Sequence, residues 1–489
     1  MNKAADVVVV GGGVIGTAVA YYTARQGLRV TLVDLPKRGR ATSASAGGLW
    51  SLGESVGLGC GVIFHKARLA KGTAHEGTHA PPQMPKSFLN FAMASNAMFP
   101  KLADDLRELA GMDIEYDRNS LLFLMYDDGD EAFARQLWKD CPCGRSLSEW
   151  MTPEELAKAE PALTREIRGA LRFNGDDQVN PYRLADAFRE GCRALGGAVL
   201  THTEVTGLRV EGNRVTAVET SAGMLPCGMV VNAAGAWAAE IGRMAGIEIP
   251  VHPVRGQIVG TETLPKVLHA SVSTTDCYLA QKHHGEIIIG STTEDVGFDT
   301  GVTASAMRTL SAGAIRAVPM LERVGVKRVW SGLRPGSPDE LPILGPAKGV
   351  QGYLNACGHF RTGILNAPLT GVIVSELAAD KAVSFPIEPF LLSRFDESDG
   401  PGSPVPQARP AHGELVEATL FVPSMKCEGC ERTIRDALQG VASVYEVRLQ
   451  VSEKALHVRY ERSPLALTQV KAALASAGFE AVESRPELR

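Results

Sequence analysis

Residues 6–34 read DVVVVGGGVIGTAVAYYTARQGLRVTLVD. A continuous apolar, β-branched run over Val7–Val10 predicts a buried strand. It enters Gly11-x-Gly13-x-x-Gly16, then a helical stretch, then a second strand over Arg29–Asp34 that ends in an acid. Each residue type has a physical task. Gly11 permits the tight turn, and Gly13 lets a pyrophosphate approach the backbone. Gly16 lets helix and strand pack closely, and the helix start at Val14 and Ile15 offers free N–H groups and the positive end of a dipole. Asp34 falls where a carboxylate holds a ribose hydroxyl. A glycine-rich turn in an ordinary α/β domain is the plainer alternative, but it does not require the second strand and its terminal acid.

Three later segments suit FAD as the dinucleotide. Residues 41–49, ATSASAGGL, are small enough to lie against a flat ring. Residues 230–237, VVNAAGAW, form a strand whose end at Ala234 and Gly235 packs beside the first glycine turn. In residues 357–368, CGHFRTGILNAP, Gly358 and Gly363 precede another helix.

Composition excludes several classes. The chain has 489 residues, of which 45% are apolar and 21% charged, with a formal net charge of −5. That is ordinary for a globular protein and shows no basic excess for nucleic acid or anionic lipid. The longest apolar run, Val7–Ala20, is too short and glycine-rich to be a transmembrane segment. It has no basic lead-in or cleavage site, so the expected location is cytoplasmic. Nine scattered cysteines fit reduced thiols better than a disulfide framework.

Residues 396–413, DESDGPGSPVPQARPAHG, break the pattern and read as a linker. Before it, β-branched runs such as Val215–Thr220, Met229–Asn232 and Glu286–Ile289 alternate with helical stretches, the mark of an α/β fold. After it, the order is strand (415–422), helix (430–439), two strands (444–451 and 455–460), helix (464–477) and short strand (479–483). That is the ferredoxin-like βαββαβ pattern.

GGGVIGTAVA, TSASAGG, PVRGQ at 253–257, GLRPGSPDELPILGP at 332–346 and GHFRTGILNAP together resemble the glycine oxidase, sarcosine oxidase and D-amino acid oxidase family of flavoproteins. Within it the likeness is greatest to glycine oxidases and to the flavin subunits of hydrogen cyanide synthase and opine oxidase. The resemblance covers roughly residues 5–392. It implies a Rossmann-like α/β FAD-binding domain over 1–80, 150–247 and 333–392, and an α+β substrate domain over 81–149 and 248–332. A linker at 393–414 and a C-terminal domain at 415–489 complete the chain.

The same resemblance implies the site. Arg334, in GLRPG, holds a substrate carboxylate; Arg361, in GHFRTG, is a second substrate-side arginine; Tyr278 helps hold the carboxylate. Any one of these, read alone, could equally be an ordinary surface or strand residue. Asp276 replaces a histidine of the glycine oxidase pattern, which alters the charge expected near the substrate amine and argues against glycine. Thr42 and Ser43 are expected near ribose or pyrophosphate, and Ala46, Gly47 and Gly48 near the isoalloxazine. Val205 is expected at adenine through its backbone, and His359, Gly363 and Ile364 at the flavin's pyrimidine end. Sarcosine oxidases attach flavin through a cysteine at the place held here by Gly332, so the FAD is expected to be non-covalent.

The C-terminal unit carries Met425-x-Cys427-x-x-Cys430 between its first strand and first helix. Thiolates at a helix start are favoured as anions, and a pair with few other ligands suits Cu(I) or another soft ion. The unit resembles heavy-metal-associated domains of the copper-chaperone type. A thioredoxin-like redox pair is disfavoured by the element order.

The leading expectation is FAD-dependent oxidation of an amino acid or N-substituted amino acid to the imine, with oxygen, a partner subunit or another electron acceptor taking the electrons. An FAD-dependent metal or thiol redox protein is the main alternative. It requires a C-x-x-x-x-C near the flavin, and the first 150 residues contain none. A non-enzymatic metal sensor is a third reading.

Overall fold

The computed structural model describes residues 4–56, 84–140, 147–396, 415–425, 444–451, 453–461 and the positions 433, 434, 438, 470, 474, 479, 482 and 483. Two compact units emerge, Met1–Arg394 and Phe395–Arg489.

The first unit holds two eight-stranded sheets. The first sheet is centred on Ala5–Val10, which pairs in parallel with Val30–Asp34 on one side and with Gly223–Asn232 on the other. Ala198–Thr201 extends it at one edge, and Tyr353–Cys357 then Ile343–Pro346 at the other. An antiparallel hairpin, Val205–Glu211 and Arg214–Thr220, branches from Gly223–Asn232. Val7, Val9, Val30 and Leu32 pack with the helices Val14–Arg25, Pro181–Ala194 and Gly363–Ala378 in one core, as a parallel sheet covered by helices requires. The strands expected from the sequence in this unit appear; four are longer by a residue or more, whereas the one expected at Arg29–Asp34 begins at Val30.

The second sheet runs Val326–Gly336, His252–Thr263, Glu286–Gly290, Tyr278–Gln281, Ser271–Ser273, Ser120–Met125, Gly169–Asn174, Ser148–Met151. Its pairs are antiparallel except for Ser271–Ser273 with Ser120–Met125. Two placements differ from the segments drawn on the sequence. Gly169–Asn174 lies in this sheet although it falls within 150–247, because its Ala170, Leu171 and Phe173 pair with the apolar Ser120–Met125 strand. Helices Lys86–Asn96 and Phe99–Ala110 fall within 81–149, yet Phe88, Phe91, Phe99 and Leu106 bury themselves in the core of the first sheet's helices.

In the second unit, the strands Leu415–Phe421, Val444–Gln450, Ala455–Glu461 and Val482–Glu483 form one antiparallel sheet. Its spatial order, second–third–first–fourth, is that of the ferredoxin-like fold. Leu420, Val422, Leu456 and Val458 share a core with the helical positions Ile434, Leu438, Val470 and Leu474. Met425 is fully buried in that core. Cys427 and Cys430 lie outside the described residues.

Candidate functional site: a glycine-cradled cleft

A cleft opens in the first unit where the strands of the first sheet end. Gly11, Gly13, Val14, Ile15 and Asp34 line it, with Thr42, Ala46, Gly48, Val205, Ala234, Gly235, His359, Gly363, Ile364, Tyr278, Arg334 and Arg361. Gly16, Ser43, Gly47 and Gly358, also expected at the cofactor, do not line it and act from behind. A Cβ on Gly16 would sit 1.8 Å from the Gly11 carbonyl oxygen, so Gly16 sets helix–strand contact. The Ser43 carbonyl accepts from Tyr182 Oη and Trp330 Nε1, which fixes the turn Ala41–Ala44. Gly47, at φ +78°, passes against the Val179 carbonyl. Gly358, at φ +71°, bends the chain out of the strand Tyr353–Cys357 toward His359.

At the glycine turn, Gly11 has φ +108°, and a Cβ there would lie 2.5 Å from the Ala233 carbonyl oxygen. Only glycine satisfies both demands. Thr42 Oγ1 accepts the Val14 N–H at 3.0 Å across 28 residues. Asp34, 6% exposed, accepts the Gly12 N–H at 2.8 Å. Its two oxygens also take Arg40 Nη2, at 2.7 and 2.9 Å. Arg40 lines the cleft too and was not singled out from the sequence; KRGR two residues after Asp34 was the available signal.

At the far end, the helix Gly363–Ala378 begins without a side-chain cap, and Gly363, Ile364 and Leu365 line the cleft. His359 is 1% exposed, with Nε2 3.0 Å from Thr370 Oγ1 and, among the described residues, no partner on Nδ1. Burial pushes its pKa down to about 3, so the ring is neutral. Trp50 is buried in the cleft wall with its Nε1 also unpartnered. Cys357 lines the cleft as well, and burial pushes its thiol up to about 12, so it stays protonated.

The second sheet supplies the floor. Arg334 lies on strand Val326–Gly336 opposite Val254. Its guanidinium rests on Gly256, where a Cβ would fall 2.3 Å from Nη1. It donates to the Thr292 carbonyl at 3.1 Å and to Ser291 Oγ, and among the described residues no carboxylate pairs with it. Tyr278 lies over Gly290 in the same way, with the Trp50 ring edge-on at 5.4 Å.

Two residues expected near the substrate carry ion pairs. Arg361 does line the cleft, but its Nε donates to Glu54 Oε2 and its Nη1 to Glu340 Oε2, the latter at 2.7 Å. It is an ion-paired arginine, not an open fork. Asp276 is not among the lining residues; it pairs with Arg316 at 3.3 Å and packs against Gly313 of helix Ala304–Ala317. Asp276 lies in the bend that precedes the strand Tyr278–Gln281.

Glu54 lines the cleft and buried Asp176 holds its helix; neither is among the residues expected from the sequence. Glu54 sits on the one-and-a-half-turn helix Ser51–Ser55. Buried Asp176 holds that helix by accepting from Leu52 N, Gly53 N and Ser51 Oγ at 3.0, 2.7 and 3.2 Å. Burial pushes the Asp176 carboxyl up to about 7, with the nearby Glu54 charge adding to the rise.

Residues 6–377 match the family model described as FAD dependent oxidoreductase, and residues 419–480 match the heavy-metal-associated domain. The hydrogen cyanide synthase subunit HcnC of Pseudomonas aeruginosa is 49% identical, over 81% of this chain and 97% of its own length. Glycine oxidase of Geobacillus kaustophilus is 31% identical over 81% of this chain and 98% of its own. The crystal structure of glycine oxidase from Geobacillus kaustophilus superposes with a TM-score of 0.70 at 30% identity, covering 80% of this chain and 98% of that one.

Proposed function

This chain belongs to the FAD-dependent oxidoreductase family, and on that footing we propose that it oxidises an amino acid or N-substituted amino acid to the imine. One observation carries the substrate class: Arg334, without a carboxylate partner among the described residues, lies beside Tyr278 on the floor of the glycine-cradled cleft. A planar guanidinium suits a carboxylate, which it can grip through two donors.

The cleft fits a flavin dinucleotide. The turn at Gly11 and Gly13 brings backbone into reach of a pyrophosphate, with the Arg40–Asp34 pair beside it toward Val205. Trp50 and His359 line that space, and among the described residues Trp50 Nε1 and His359 Nδ1 have no protein partner. When bound, FAD supplies the hydride acceptor for the carbon that carries nitrogen. The protein's part is orientation and electrostatics. Arg334 and Tyr278 hold the carboxylate, which fixes the reacting carbon. Trp50 and Phe360 exclude water. The open helix start at Gly363 presents a positive dipole end that favours negative charge at its side of the cleft. The protonated Cys357 thiol supports a non-covalent cofactor.

Similarity to glycine oxidase supports a small amino acid, and the charge objection to glycine falls with Asp276 turned to Arg316. Similarity to a synthase subunit supports a partner chain as one route for the electrons. In the C-terminal unit, Cys427 and Cys430 are the proposed ligands of Cu(I) or another soft ion. Among the described residues no helix is long and apolar enough to cross a membrane.

The test is anaerobic mixing of the holoenzyme with D-, L- and N-alkyl amino acids while flavin absorbance is followed. Bleaching by at least one is expected. If every amino acid is inert while a hydroxy acid or polyol phosphate bleaches the flavin, the substrate class is wrong.

A further inference from the structure

Arg334 is held from behind by a bulge. Strands His252–Thr263 and Glu286–Gly290 pair as far as Ile258 with Gly290, and the two chains meet again at Arg255 with Glu294. Between those pairs Ser291, Thr292 and Thr293 stand opposite Gly256 and Gln257 only. The extra residue takes the segment out of the ladder. Thr292 keeps one ladder-type contact, its N–H on the Gln257 carbonyl, long at 3.4 Å. Yet it is the carbonyl of this loosened residue that accepts Arg334 Nη1 at 3.1 Å, beside Ser291 Oγ, which accepts Nη2.

Side chains replace the missing ladder. Thr292 Oγ1 accepts the Gln257 N–H at 2.9 Å and donates to Glu294 Oε2 at 3.1 Å. Glu294 also accepts Arg255 Nε at 2.8 Å, and Gln257 Nε2 at 2.8 and 3.1 Å. Gln257 is fully buried, and its Oε1 accepts the Thr303 N–H at 2.8 Å, at the cap of helix Ala304–Ala317. Arg255 is buried as well, and its Nη1 donates to Asp299. Burial alone would push the Glu294 carboxyl up, but Arg255 and Gln257 outweigh it and hold it below the ordinary carboxylate value. Glu294 is therefore an anion at neutral pH and accepts at both oxygens. Thr292, Glu294, Arg255 and Gln257 are not among the residues that line the cleft, whereas Arg334 is. Their reach to a ligand there runs through the Arg334 guanidinium.

We propose that Thr292, Glu294 and Arg255 are positioning residues for the oxidation: together they fix the Thr292 carbonyl, and with it the plane of the Arg334 fork that receives the substrate carboxylate. This rests on the amino acid reading above and deepens it. A two-donor grip on a carboxylate depends on the orientation of the guanidinium plane. A long side chain free to swing loses rotamer freedom when a ligand arrives, and one already held does not. Glu294 serves Arg334 from a distance. Its carboxylate is engaged by Arg255, and only the neutral Thr292 carbonyl and Ser291 hydroxyl touch the fork. Arg334 is thereby aimed without being neutralised.

The test is a double-mutant cycle on the holoenzyme. Its readout is anaerobic flavin reduction at low concentrations of whichever amino acid bleaches the flavin best. Thr292→Val keeps the carbonyl and the size of the side chain but removes the hydroxyl from both of its bonds. Reduction is expected to slow by about ten-fold or more. Thr292→Ser, which restores the hydroxyl, is expected to recover the parent's rate. Glu294→Gln breaks the same network at another point and is expected to behave as Thr292→Val does. In Arg334→Ala there is no fork to aim, so adding Thr292→Val is expected to slow reduction by less than about two-fold. A slowing as large in that background as in the parent overturns the proposal, because the effect then bypasses Arg334. Parent-like kinetics in FAD-loaded Thr292→Val or Glu294→Gln overturn it as well. Arg334→Ala as fast as the parent, or failure of every amino acid to bleach the flavin, overturns instead the reading on which it rests.

Discussion

Gly256 is the shelf on which Arg334 lies: a Cβ at position 256 would come within 2.3–2.5 Å of the guanidinium's Nη1, Nη2 and Cζ. The two residues sit on neighbouring antiparallel strands, Gly256 opposite Gly332 and Arg334 opposite Val254. Replacing Gly256 with alanine should lift the guanidinium off the strand. Since displacements of about 1 Å in a reacting complex cost up to roughly 100-fold in rate, kcat/KM should fall by about 10- to 100-fold. FAD content should stay at its normal level. Steady-state kinetics beside the flavin-to-protein absorbance ratio measure both.

Arg334→Ala removes the carboxylate grip itself. A loss of about 100-fold or more in kcat/KM is expected, from charge-assisted hydrogen bonds of about 1.5–3 kcal/mol each. Lysine at 334 should recover only part, because it cannot make the planar two-donor contact. Kinetics unchanged from the parent would remove Arg334 from the site.

Arg361→Met should act first on stability. It takes a cationic partner from Glu54 and Glu340, whose side chains are 7% and 21% exposed. Removing one partner of a buried ion pair costs about 3 kcal/mol or more. Adding Glu54→Gln to that variant should restore part of the loss, because one buried carboxylate that Arg361 had paired disappears. Urea unfolding of the three FAD-loaded proteins reads the difference; equal midpoints for Arg361→Met and the parent would show that the pairs contribute nothing.

The Asp176 carboxyl gives stability a pH signature. Its folded pKa, about 7, lies above the ordinary 3.8. The folded state therefore binds this proton more tightly, so the contribution is full below about pH 4 and is lost as pH rises toward 7. Asp176→Asn cannot titrate. Both proteins unfolded at pH 5 and at pH 8 should show the parent's advantage over Asp176→Asn shrinking at the higher pH. An advantage that grows instead would mean Asp176 is ionised in the fold at low pH.

The C-terminal pair makes a separable prediction. Cys427→Ser with Cys430→Ser should abolish Cu(I) binding, measured by competition with a chromogenic chelator, and leave the flavin spectrum unmoved. Undiminished copper affinity would end the assignment.

What could be read directly from sequence was local. Gly11 through Asp34 lie within one strand–helix–strand unit, so spacing alone carried strand, turn and acid. The Arg334 fork was suggested by its surrounding motif, but its shelf was not, since Gly256 is 78 positions away and only antiparallel pairing brings it underneath. The partners of Arg361 stayed hidden for the same reason: Glu54 is 307 residues distant in sequence. Pattern captured what neighbours in sequence decide and lost what the chain's return path decides.

The sheet order has a consequence for biosynthesis. Ala5–Val10 leaves the ribosome first, yet Gly223–Asn232 is its partner, and Tyr353–Cys357 then pairs with that strand. The helix opening at Gly363 comes later still. A nascent chain released before residue 363 carries the glycine turn but lacks the opposite wall of its cleft. The full lining of the cleft is thus present only after the first unit is nearly all translated. Chains stalled earlier should emerge colourless, however intact their N-terminal fingerprint.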